Sequence, residues 1–495
     1  MEDDATGRVY DEAMINTELD RLQDAGVHYV RTRYQSQWIF DDATGYDWNS
    51  DRFNYFLNYA KALQERGMEV ILQVGWHFDF ISREENATYS LHENDYFNGE
   101  GDDRYGESAG VDFTDVSDDN ARIIRAAYRY AYLMANTVKL ARAKGINNIK
   151  YFSYFVEPSN TYSKNEGQLI VKAGHDKEQY VLFCRTMRDA VEGTHNITGI
   201  KHMGPNEAGY SKLTEYVVNY YPNLFDIITA HNYPEEGDVA TNYNKYYETM
   251  TDNTNRGKFD WMIGNGYMTD FNDYKGFLEI AQEENPNAEF WCDEFNIKDF
   301  DAYQGRGTSS FYRGLATAMG GIVAQQSGIQ NTILWMSYDQ LWTDNTGGTE
   351  TSESEFMNGI HQCGNAPSLF LSDQPYAQYY PTTLFSKYNG YKDGKVYATN
   401  LSSTATQGVY IGAVQLENGD WTVSVLNMNS TAVNVSVAFD TAINQTLYRH
   451  VVSADKADTY ADAKIPDADK TFTNVAASFN DVLPAGSFAV YTSVK

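Results

Sequence analysis

Cysteine and proline are scarce, at 3 and 10 among 495 residues. Cys184, Cys292 and Cys363 stand far apart, with no metal-type spacing, and three thiols cannot staple a disulfide framework. The chain must therefore hold itself together by a buried core. Its 9 histidines form no ligand-spaced pair, so neither a metal nor another cofactor is expected. No apolar run reaches the roughly 18 residues that a membrane span takes. The opening stretch, MEDDATGRVYDE, has no basic region and no apolar h-region, so no signal peptide is expected in this chain. A soluble protein follows, with its compartment left open. Positive charge is short as well: 38 Lys and Arg face 68 Asp and Glu, a formal net charge of -30. Such a field repels phosphate backbones and anionic lipid, so nucleic acid and membrane are not expected partners, while a neutral or cationic ligand fits it. The oligomeric state is unknown from sequence.

Aromatic residues are abundant, at 15% with 39 Tyr and 8 Trp. Rings suit a cleft that stacks on the apolar C–H faces of a sugar; they equally suit a core and amphipathic helices. The length predicts two domains, although one (β/α)8 barrel can take roughly 300 residues or more. Residues 13–25 carry apolar positions at helical spacing and stop at Gly26. The strand His28 to Tyr34 follows, with Tyr29, Arg31 and Arg33 on one face. The helix Asp51 to Arg66 leads to the strand Met68 to Trp76, apolar on both faces as a covered parallel sheet requires. The long polar and aromatic segment from His77 to Val116 is read as one wall of a cleft.

The alternation continues. A helix from Asp118 to Gly145 precedes the strand that ends at Glu157, and helices and strands then alternate to the strand Thr332 to Ser337. Seven strands are counted, and closure of a barrel needs an eighth. The first is the one not evident, since GRVY at 7–10 is a poor strand. After Gly390 the pattern changes to period two, as in GVYIGAVQL and WTVSVLNM. The fold expected is thus an α/β (β/α)8 TIM barrel over 1–390, followed by an antiparallel β-sandwich over 391–495. The sandwich is read as a domain packed on the barrel, with few convergent polar groups. The run Asp455 to Lys470 is read as a solvated acidic loop, with a Ca²⁺ site as the rival.

Two strands end in acids. Glu289 to Ile297, EFWCDEFNI, carries an apolar run into Asp293 and Glu294; Ile149 to Asn160, IKYFSYFVEPSN, carries an aromatic run into Glu157 and Pro158. Strand ends four and seven face each other across a barrel mouth. Retaining hydrolysis of a glycosidic bond needs two carboxyl groups about 5 to 5.5 Å apart, one attacking the anomeric carbon and one protonating the leaving oxygen. Arg31 is expected beside Glu294, keeping it ionised, and the apolar setting of Glu157 is expected to raise its pKa. His231 and Tyr233, in HNYP, are expected to bind a hydroxyl and to orient Glu294. Trp335 is expected under a pyranose ring, and Trp76 with His77 at that end of the subsite; burial in the core is the rival for each. Period two sends Asp293 to the opposite face from Glu294, so it is read as a bystander.

The order of elements, the Glu-Pro of VEPSN, the HNYP, the DEFN and the trailing sandwich resemble glycoside hydrolases of clan A, most closely family 39, the β-xylosidase and α-L-iduronidase family. The resemblance implies Glu157 as acid/base, Glu294 as nucleophile and a carbohydrate substrate. Two positions depart from it. The clan has Asn before the acid/base, where this chain has Val156, and family 39 has Arg-X-His on its second strand, where this chain has Arg31-Thr32-Arg33. Arg33 is accordingly expected to meet a carboxylate or sulfate on the sugar. Val156 and the missing strand also keep a second expectation open, a non-catalytic carbohydrate-binding barrel.

Overall fold

The computed structural model describes residues 12–34, 40–41, 45–74, 119–156, 158, 177–208, 212–232, 285–295, 311–326, 328–334, 340–341, 355–356, 361–363, 371–375, 377–399, 408–460 and 464–494. Contacts divide the chain into two compact units. One is Met1–Gln23, His28–His231 and Gly276–Asp293; the other is Asp24–Val27, Asn232–Lys275 and Glu294–Lys495.

In the first unit helices and strands alternate: α1 (Glu12–Asp24), β1 (Tyr29–Tyr34), α2 (Asp51–Glu65), β2 (Glu69–Val74), α3 (Asp119–Ala143), β3 (Ile149–Ser153), α4 (Lys177–Asp189), β4 (Lys201–Ala208), α5 (Lys212–Tyr220), β5 (Ile227–Asn232) and β6 (Glu289–Phe295). Helix α2 shows why these segments form. Ser50 accepts a hydrogen bond from the Phe53 N–H at 3.1 Å, satisfying a first-turn donor. Phe53, Phe56, Leu57, Ala60 and Leu63 form its buried face, and Gly67, at φ +77°, ends it.

Strands β1 to β6 and a seventh, β7 (Asn331–Leu334), follow one another in a single sheet in chain order. The β1–β2 register runs in parallel from Tyr29 opposite Glu69 to Tyr34 opposite Val74. The sheet curls into a nearly closed barrel. The rings of Tyr29, Tyr151 and Trp291 come from β1, β3 and β6, which are not sheet neighbours, yet their centroids lie 4.7, 5.2 and 5.6 Å apart. Only a curved sheet brings such residues together, and they fill its interior as a layer. Seven parallel strands are what the sequence predicts; residues 7–10 lie outside the described residues. Strand β4 runs to Ala208, past Gly204, where the sequence pattern ends a strand begun at Ile200.

The second unit has three layers. A six-stranded antiparallel sheet has the order β8 (Lys395–Tyr397), β9 (Val409–Gln415), β10 (Trp421–Asn427), β15 (Ser487–Thr492), β12 (Gln445–Ser453), β13 (Lys470–Val475). A pair, β11 (Val433–Ala438) with β14 (Ser478–Leu483), makes a second sheet. Val409, Val423, Val425, Leu447, Ala489 and Tyr491 of the large sheet share one core with Val433, Val437, Phe479 and Leu483 of the pair. The other face of the large sheet meets α6 (Phe311–Gln326) and α7 (Tyr379–Asn389). The Tyr388 ring stacks on His450 at 4.8 Å, Phe385 lies 6.4 Å from Phe488, and Gly412 leaves room for Ile322. Gly26, at φ +69°, also lies against α7: a Cβ there would sit 3.0 Å from the Lys387 Cα.

In the acidic run Asp467 and Asp469 are exposed, as a solvated loop requires, and Arg449 donates to Asp469 through Nε and Nη2 at 2.8 and 2.6 Å. One expectation changes, because the sandwich has a convergent polar cluster. Arg449 Nη1, Lys470 Nζ and Tyr491 Oη all donate to Asp481, at 2.7, 2.6 and 2.8 Å. These groups sit on four strands, which is why no linear motif announces them.

Candidate active site

The barrel interior is built in tiers. At the N-terminal ends of the strands, Tyr151 Oη donates to Glu69 at 2.9 Å, Trp291 Nε1 donates to Glu289 at 2.8 Å, and Lys201 pairs with Glu289. Burial, followed by the nearby Tyr29 and Glu69, pushes the Tyr151 phenol well above its ordinary pKa, so it stays a neutral donor. The aromatic tier of Tyr29, Tyr151 and Trp291 lies above. Each strand then places a polar residue two positions further on, at the end where a parallel barrel carries its chemistry.

At that end Arg31 Nη1 contacts Asp293 Oδ2 at 2.9 Å, with side-chain exposures of 4% and 0%. His231 Nε2 lies 3.6 Å from Asp293 Oδ1, both side chains fully buried. The distance suits an electrostatic contact rather than a hydrogen bond. Burial of the Arg31 and Asp293 charges requires their pairing, because either one alone would carry an uncompensated desolvation cost. Asp293 thus ties β6 to Arg31 of β1 and lies beside His231 of β5. Its interior position follows from the tiering, since it is two residues beyond the inward-facing Trp291. Arg31, expected beside Glu294, makes this ion pair with the residue before it. A sequence signal for Asp293 was present in that two-residue step from Trp291.

Glu294 follows Asp293 on β6 and is 3% exposed. The other predicted acid, Glu157, lies outside the described residues; its neighbours Val156 and Pro158 are both buried. Trp76, His77, Tyr233 and Trp335 also lie outside them. Arg33 is on β1, in register with Gln73, and its side chain is outside what is described. The structure thus brings together Arg31, His231 and Asp293.

Two further polar residues went unread in the sequence. Asn206, 0% exposed, donates through Nδ2 to Ser153 Oγ, Tyr154 O and Phe155 O at 2.8, 2.6 and 3.0 Å. Gln73 Nε2 donates to Phe155 O at 3.2 Å. Among the described residues no group of His, Cys, Asp and Glu is arranged to hold a metal, and no helix is long and apolar enough to cross a membrane.

Parallel strands curled around an aromatic tier, acids at their C-terminal ends and a trailing antiparallel sandwich define the class: a (β/α) barrel with an accessory β-sandwich. No family model matches the sequence, and no curated protein does. Solved structures do. The chain is similar to the catalytic domain of the family 30 xylanase C from Talaromyces cellulolyticus, with 16% identity over 98% of this chain and 93% of that one, at a TM-score of 0.60. It is similar to a family 44 xyloglucanase from Paenibacillus polymyxa, with 11% identity over 95% and 94% at 0.56. It is also similar to a family 39 glycoside hydrolase from Bacteroides cellulosilyticus, with 10% identity over 98% and 80% at 0.54. At these identities the likeness is one of fold. The structures it resembles are named for several glycoside hydrolase families, of which family 39 is one.

Proposed function

We propose that the chain is a retaining glycoside hydrolase acting on a glycan or glycoside by double displacement. The observation that carries this is the placement of Glu294 at the C-terminal end of a barrel strand, next to an Asp293 anchored by Arg31. In the proposed reaction a Glu294 carboxylate oxygen attacks the anomeric carbon as the bond to the leaving oxygen breaks. Glu157 gives that oxygen its proton. Water then attacks the glycosyl ester, Glu157 takes the proton back, and Glu294 is freed as a carboxylate. Arg31, Arg33, Trp76, His77, His231, Tyr233 and Trp335 are assigned to substrate binding, with His231 beside Asp293 at the same end of the barrel as Glu294. No cofactor enters this scheme.

A panel of nitrophenyl glycosides, read by NMR of the released anomer, tests sugar and stereochemistry together. Glu294→Gln is expected to abolish every activity found, by about 10⁴-fold or more. Glu157→Ala is expected to keep turnover of substrates with good leaving groups. Attack also requires that a residue 3% exposed be reachable, and trapping with an activated 2-fluoro glycoside followed by peptide mapping reads that directly. Label on Glu294 supports the assignment; undiminished hydrolysis by Glu294→Gln removes it. Glycan binding unchanged in a Glu157/Glu294 double variant, with no turnover by the parent, would instead establish the non-catalytic barrel.

A further inference from the structure

Strand β3 loses its neighbour just before the stretch that carries Glu157. Its ladder with β4 pairs Tyr151, Phe152 and Ser153 with Lys201, His202 and Met203, and the last backbone bond runs from Tyr154 N to Met203 O at 3.2 Å. The carbonyls of Tyr154 and Phe155 come next, in residues 1% and 2% exposed, and buried carbonyls must find donors. Side-chain amides supply them. Asn206 Nδ2 reaches Tyr154 O and Phe155 O, and Gln73 Nε2 reaches Phe155 O as well.

Asn206 is set up for this by a bulge. Strand β4 pairs with β5 through Pro205 opposite Thr229 and Glu207 opposite Ala230, so Asn206 is the extra residue between them. Its φ is +57°, a left-handed conformation that asparagine tolerates better than most side chains. Its backbone N–H donates to Thr229 Oγ1 at 3.0 Å, and the Thr229 hydroxyl donates back to Oδ1. With Oδ1 so engaged, the amide cannot flip, and its Nδ2 must face β3. Phe155 in turn has φ +61°, a conformation that costs a non-glycine residue on the order of 1–2 kcal/mol and persists only where the surroundings fix it. They do so from two sides: the two amides hold its carbonyl, and its ring packs on Phe183 and Tyr180 of α4 at 4.8 and 5.6 Å.

We propose that Asn206, seconded by Gln73, is a positioning residue for the acid/base: clamping the Tyr154 and Phe155 carbonyls fixes the backbone from which residue 157 follows. This rests on Glu157 being the acid/base. Proton donation to a leaving oxygen is sensitive to placement, with about 1 Å of error worth on the order of 10²-fold in rate. A leaving group that departs unprotonated does not feel the error. A loss of general folding would slow all substrates alike, so leaving-group dependence separates the two roles.

The test compares kcat/KM of the parent, Glu157→Ala, Asn206→Ala and Gln73→Met on the phenyl and dinitrophenyl glycosides of one sugar. Asn206→Ala is expected to lose about 10²-fold on the phenyl glycoside and about tenfold less than that on the dinitrophenyl one, following the pattern of Glu157→Ala. Gln73→Met, which removes one donor and keeps the volume, is expected to lose selectively but less, and it carries the test if Asn206→Ala does not fold. Equal losses on both substrates for Asn206→Ala and Gln73→Met, beside a selective Glu157→Ala, overturn the positioning role alone. A Glu157→Ala variant that is itself unselective overturns the acid/base assignment and the positioning role with it.

Discussion

Removing the guanidinium of Arg31 takes its ion-pair partner from the Asp293 carboxyl, whose side chain is 0% exposed, and breaking a buried pair from one side costs about 3–5 kcal/mol. Arg31→Met is therefore expected to lose that much in urea melts, and Arg31→Met with Asp293→Leu to recover most of it, because the pair itself adds little over an apolar replacement. A loss under about 1 kcal/mol in the single variant would show that the pair does not hold the strands. A second residue makes stability pH-dependent. Burial, with Lys139 adding to it, lowers His195 to about 4, and its Nε2 is buried with no hydrogen-bond partner among the described residues. The unfolded imidazole titrates near 6.5. Between about 6.5 and 4 the unfolded chain binds a proton that the folded chain refuses, so stability is whole above that window and falls as pH drops through it. His195→Phe is expected to flatten the fall in Tm across this range by a few degrees. At this scale the sequence was legible in residue type more than in partner. It offered Arg31 as a cation of the site, and the ion pair with Asp293 follows from Trp291, whose inward ring sets the phase of β6.

Elements were easier to read, and the exceptions have definite causes. Glycines at φ +69°, +77° and +79°, Gly26, Gly67 and Gly145, end helices where the apolar period stops, so α1, α2 and α3 were visible within a residue or two. Strand β4 runs on past Gly204, where the sequence pattern ends it, because a bulge absorbs Asn206, and nothing local in sequence announces a bulge. The sandwich strands alternate plainly, but the cluster binding β12, β13, β14 and β15 had to wait for the fold. Burial raises the Asp481 carboxyl pKa, yet hydrogen bonds from Lys470, Tyr491, the Val482 N–H and Arg449 more than reverse this, leaving it below the ordinary value. A depressed carboxylate contributes stability that is present above its unfolded pKa and is lost as pH falls through the folded one. Asp481→Asn is thus expected to cost about 2 kcal/mol at neutral pH, with the difference from the parent shrinking below pH 4. An equal difference at pH 7 and pH 3 would assign the loss to packing rather than charge.

For the whole molecule, the sequence divides at 390 and 391 by pattern, where helical spacing gives way to period two, whereas contacts place everything from Glu294 onward in one compact unit. The two criteria differ because pattern reports local geometry and contacts report who covers whom. Strands β10 and β15 are buried almost end to end. Tyr410, Leu426, Phe488 and Val490, each 0% exposed, share the side of their sheet that carries Gly412 and Ser424, which meet Ile322 and Asn389. A polypeptide cut out as 391–495 would therefore be born without its lid. A bared apolar face promotes association, so this piece is expected to sediment with the insoluble fraction on expression, while a piece beginning at 294 stays in the supernatant. Clear, monodisperse 391–495 would contradict this. Shuffling the β-sandwich between proteins is accordingly expected to require carrying along α6 and α7, the two helices of its own compact unit that cover it.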